Sequence, residues 1–129
     1  MQQYLQKVAP DSSDTDLLAQ EAIEAVRRVR DRSWSEMPAT PATVYPAIGL
    51  SGANAGDWVL NTGVESNLDG LFTRQILFEE VKRNGTTKLI DPAGAPDPDS
   101  RKITVRLQWG SPQKEVLLDT YITNVNKPL

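Results

Sequence analysis

The 129-residue chain contains no cysteine and no histidine. The first absence removes disulfides, thiolate nucleophiles and cysteine-ligated zinc. The second removes the side chain most often used to move protons near neutral pH. Cationic excess is missing too: a net charge of -3 and a pI near 4.9 oppose a general nucleic-acid binder, whose footprint is basic. No stretch approaches the roughly 18 to 20 consecutive apolar residues of a membrane span, and "MQQYLQKVAPDSSD" lacks the charged-then-apolar layout of a signal peptide. A Gly-rich phosphate loop is absent, and no serine or threonine has a histidine base. Glu79 and Glu80, adjacent on an expected strand, point to opposite faces, which is wrong for carboxylates acting on one substrate. No enzymatic function and no catalytic residue are expected.

What is present is 39% apolar and 24% charged residues, the make-up of one globular domain with a modest core. Residues 1 to 16 read as an irregular lead-in or a truncation point and 17 to 129 as the domain, with a helix cap near Ser13 or Asp14. In "LLAQEAIEAVRRVRDRSW" (17 to 34), Leu18, Ala19, Ala22, Ile23, Ala25, Val26 and Val29 recur at three and four, the stripe of an amphipathic helix. Asp14, Asp16, Glu21 and Glu24 precede Arg27, Arg28, Arg30 and Arg32, an order that complements the helix dipole. The arginines therefore read as a solvated helix end.

Residues 35 to 57 hold Pro38, Pro41, Pro46, Gly49, Gly52 and Gly56 and read as a long connection with at most a short extended piece at "TVYPAIGL". Beyond it come β-rich runs: 57 to 61, 71 to 83, 102 to 109 and 115 to 125. Ile103, Val105, Leu107 and Trp109 alternate with Lys102, Thr104, Arg106 and Gln108, a strand with one dry face and one wet face. "GSPQK" then reverses the chain, and Val116, Leu118 and Ile122 restore the dry face on the returning strand. The earlier run sets Phe72, Arg74, Ile76 and Phe78 opposite Thr73, Gln75 and Leu77.

No cofactor is expected. Asp91, Asp97 and Asp99 in "DPAGAPDPDS" are the candidate calcium ligands, because calcium takes several oxygens from a compact loop. They lack EF-hand spacing, and a solvated acidic turn is the preferred reading. Trp34, Trp58 and Trp109 could stack on sugar, which keeps a secreted or cell-surface binding module for carbohydrate or protein as the alternative function. Core anchoring is the ordinary use of such residues.

The order of one N-terminal helix, a variable connection and a sheet ending in a hairpin resembles type IV pilins and type II secretion pseudopilins. "LAQEAIEAVRRVRDRSW" resembles the later part of the pilin helix, "LFTRQILFEEV" the first major strand, and "DSRKITVRLQWGSPQKEVLLDTYITNV" the terminal hairpin with its Trp-Gly turn. The likeness spans residues 17 to 125, while the basic leader, cleavage site, assembly glutamate and apolar helix half of prepilins are not in this sequence. It implies an α+β pilin-like head with the helix packed on the C-terminal antiparallel sheet. It also implies a structural role in an extracytoplasmic filament, periplasmic or at the cell surface, whose partners are other pilin or pseudopilin subunits. Membrane contact would come only through the missing N-terminal segment. On this reading Leu18, Ala22, Ala25, Val26 and Val29 pack on Ile103, Val105, Leu107 and Val116. Ala19, Ile23, Arg27 and Arg30 lie outside that core as subunit-contact candidates, and the 35 to 57 loop faces outward or toward a neighbour.

Overall fold

The computed structural model describes residues 12 to 125. The lead-in through residue 11, and the side chain of Ser13 expected to cap the helix, lie outside the described part. Helix α1 (Ser12–Arg32) begins earlier than the expected domain start, so 12 to 16 are helical. A 3-10 turn, Trp34–Glu36, ends it. Six strands follow: β1 (Ala42–Ile48), β2 (Trp58–Thr62), β3 (Glu65–Leu68), β4 (Phe72–Arg83), β5 (Ala95–Trp109) and β6 (Lys114–Thr123). All pairings are antiparallel, in the order β2-β1-β4-β5-β6, with β3 also on β4.

Among the described residues about half are strand and about a fifth are helix, which corrects the α+β assignment to a mostly β fold with one described helix ahead of the sheet. The physical reason lies in two proline-containing stretches read as irregular. The short extended piece allowed at "TVYPAIGL" is a full sheet strand, β1, and the supposed acidic turn contains the first residues of β5. Pro46 is tolerated inside β1 because it lies past the last pairing with β4, Val44 with Ile76; farther along, β4 is taken over by β3 through Glu65 with Arg74 and Leu68 with Phe72. A strand can accept a proline where its amide has no neighbour to donate to.

The β5–β6 hairpin runs in unbroken register from Ser100 with Thr123 to Trp109 with Lys114. Gly110 turns it at φ +85°, in the left-handed region that a side chain disfavours. In β4 the alternation holds as expected: Phe72, Arg74, Ile76 and Phe78 are buried and their neighbours less so. A register shift between Glu80 and Val81 then breaks the period.

The core lies between α1 and the inner sheet face. Ala22, Val26 and Val29 share one cluster with Ile76, Phe78, Ile103, Val105 and Leu107, with Leu18 and Val116 packed at its margin. Each fully buried large side chain contributes about 1.5–3 kcal/mol. Ala19 and Ile23, expected outside, belong to the same cluster at 2% and 3% exposure, and this is a correction. The helix is buried over a wider face than a flat sheet would cover because β1 and β2 also pack along it; Val44, Trp58 and Leu60 join the cluster. Asp16, Leu17, Gln20, Glu24 and Arg28 remain exposed on the far side.

Candidate interaction surface

Two ionic clasps hold the helix in place. Near its first half, Arg74 is almost fully buried although it carries a charge. Its Nε donates to Glu65 Oε1 at 3.0 Å, and its Nη1 donates to Glu21 Oε1 at 2.8 Å and to the Leu18 carbonyl at 2.9 Å. The strand period puts this side chain on the dry face, and two carboxylates and a carbonyl supply what water would otherwise provide. The sequence pattern located Arg74 on that face. Its partners come from distant segments, and no local signal connected them.

At the C-terminal end of α1, Arg28 makes a forked contact with Asp57, Nε and Nη2 lying 3.0–3.1 Å from the carboxylate. Arg32 reaches the same carboxylate at 3.2 Å and also donates to Glu36 at 2.7 and 3.0 Å. Asn54 donates to Glu36, and Asp57 accepts the Trp58 amide. The Arg28 hydrogen bonds, followed by the Trp58 amide, hold the Asp57 carboxyl down to about 2. Glu36 is likewise lowered, first by Arg32, while Arg28 and Arg32 are raised by their carboxylate partners. Of the expected solvated arginines, Arg28 and Arg32 therefore bind the β1–β2 connection to the helix. Arg27 pairs with Glu24 at 2.6 Å and Arg30 with Asp31 at 3.0 Å, both partly exposed.

The braced connection displays Leu50, which is 96% exposed, beside half-exposed Ile48. Gly49 lets the loop close on itself: a Cβ there would collide with the Asn54 carbonyl. The outer sheet face, opposite the helix, carries Leu117 and Tyr121 about half exposed, with Thr104, Arg106 and Asp119 among them.

The three candidate calcium ligands are engaged separately. Asp91 accepts the Ala93 amide, and Asp99 accepts Asn124 Nδ2. Asp97 accepts Arg83 Nε and Ser100 Oγ, both at 2.7 Å, and the Asp99 amide. Burial pushes the Asp97 carboxyl up, but the bonds from Ser100, Arg83 and the Asp99 amide outweigh it and bring it to about 2. Among the described residues no group of three His, Cys, Asp or Glu is placed to hold a metal.

The tryptophans form no shared platform. Trp34 donates Nε1–H to the Pro98 carbonyl at 3.1 Å and lies under the Arg101 guanidinium at 5.3 Å. Trp109 meets Phe72 edge to face at 5.5 Å, and Trp58 packs on the core. Among the described residues no helix is long and apolar enough to cross a membrane. In comparison with known proteins, no family model matches the chain, and neither a curated protein nor a solved structure matches it.

Proposed function

We propose that this chain is a structural, non-catalytic subunit of an extracytoplasmic filament of the type IV pilus or type II secretion pseudopilus kind. The support is the ordered sequence likeness over residues 17 to 125. One structural observation supports it: two of the pieces that carry the likeness, the helix and the terminal hairpin, meet in one core through Ala22, Val26 and Val29 and through Ile103, Val105 and Leu107. With Ala19 and Ile23 taken up by that core, the surfaces left for neighbouring subunits are the far side of α1, the Leu50 loop and the outer sheet face. On this reading unlike surfaces of neighbouring subunits meet, and such heterologous contacts extend into a filament when the rotation between subunits does not close. In this reading an apolar segment encoded upstream anchors the subunit in the membrane before assembly.

The test is to shear filaments from cells producing an epitope-tagged full-length protein and to probe the sheared fraction. The tagged protein should co-sediment with the filaments. Its absence from filaments that are otherwise present, together with unchanged filament number when the gene is deleted, would overturn the assignment.

A further inference from the structure

The β4–β5 connection contains the one Asn-Gly dipeptide of the chain, Asn84-Gly85. Asn84 Oδ1 accepts the Thr86 amide at 2.8 Å and the Thr87 amide at 3.0 Å. These bonds hold the side-chain amide in an Asx turn over the residues that follow it. They also place two N–H donors on the oxygen that becomes negative if Cγ is attacked, at the distances of an oxyanion site. The Gly85 amide donates to no described group, and Gly85 has no Cβ to obstruct approach. Gly85, Thr86 and Thr87 are exposed, so water reaches the site.

We infer that Asn84 is a site of spontaneous covalent modification in the folded protein, converting through a cyclic imide to aspartate and isoaspartate. The Gly85 nitrogen bonds to Asn84 Cγ and gives up its proton. The Cγ–Nδ2 bond breaks and, with that proton, the amide nitrogen leaves as ammonia. Water then opens the ring at either carbonyl, and no electrons are transferred. The product changes the loop. Asn84 Nδ2 now lies 3.5 Å from Asp91 Oδ2 as a donor, and a carboxylate there faces Asp91 as a like charge. In the isoaspartyl form the main chain runs through Cβ and Cγ, one methylene longer on its way to Gly85, and the Asn84 carbonyl that accepts the Lys88 amide leaves the main chain to become the branching carboxylate. The same loop supplies the Lys88 carbonyl to Arg83, so the modification loosens one end of β4 as the protein ages.

The test incubates the full chain, native, in warm neutral and mildly alkaline buffer and follows each asparagine by peptide mass spectrometry with isoaspartate detection. Asn84 should convert several-fold faster than Asn54, Asn61, Asn67 or Asn124, at a rate that rises with hydroxide. Gly85→Ala should slow it several-fold; a Cβ at Gly85 meets nothing within 4 Å, so that variant keeps the fold. Asn84→Asp should reproduce the stability of the aspartyl product. Conversion confined to the denatured chain, or an unchanged rate in Gly85→Ala, would overturn the inference.

Discussion

Replacing Arg74 by methionine isolates the cost of the buried clasp, because methionine keeps much of the aliphatic stem and removes only the guanidinium. The Leu18 carbonyl loses a donor but stays within a helix. Glu21 has a side chain 47% exposed and recovers water, whereas Glu65 is 25% exposed and recovers less. Breaking a buried pair costs about 3–5 kcal/mol when the surviving charge stays dry. With both carboxylates partly wetted, the expected loss is smaller, about 2–3 kcal/mol. At an m-value of about 1–3 kcal/mol/M, this lowers the urea midpoint by roughly 0.7–3 M. Adding Glu21→Gln and Glu65→Gln should return a large part of the loss, since no charge is then left facing an apolar stem. The assay is equilibrium urea unfolding followed by tryptophan fluorescence. A change within about 0.5 kcal/mol for Arg74→Met alone, the size of a surface substitution, would refute the reasoning.

Other outcomes follow from the same contacts. Ile23→Ala should destabilise the protein by about 2–4 kcal/mol and Leu17→Ala by less than about 0.5, because Ile23 is buried and Leu17 is 70% exposed; thermal unfolding checks the ranking. Asp97 titrates near 2 when folded and from an ordinary 3.8 when unfolded, so its stabilisation is present above pH 3.8 and is lost as pH falls from there toward 2. Asp97→Asn should therefore flatten the acid limb of a stability-versus-pH curve while leaving its shape near neutrality unchanged.

The helix, the hairpin and the dry face of β4 were legible because each repeats a local period, with apolar residues at three and four or at every second position. The hidden parts depended on partners. Pro46 and the prolines of 92 to 98 mark irregular chain by composition, yet β1 and the start of β5 are paired, because the ladder asks only that a proline amide face no acceptor. The stripe on α1 showed a wide apolar face without showing how much of it would be covered. Ala19 and Ile23 became core once the β1–β2 hairpin packed along the helix, an event settled by residues more than twenty positions away. Arg28 and Arg32 matched the dipole pattern, and their true partner, Asp57, could be named only from the fold. The scattered aspartates of 91 to 99 looked like one cluster because they are close in sequence, whereas extended backbone and separate donors keep their roles apart.

The two clasps also govern how the molecule bears mechanical load. Tension applied at the front of α1 meets the Arg74 fork within its first turns and passes directly into β4, the strand that pairs with β1, β3 and β5 alike. At the rear, Asp57 and the Trp34–Pro98 contact anchor the same rod to the β1–β2 connection and to β5. A rod fastened at both ends resists peeling from either one, so yielding requires the clasps to fail together with the buried seam between them.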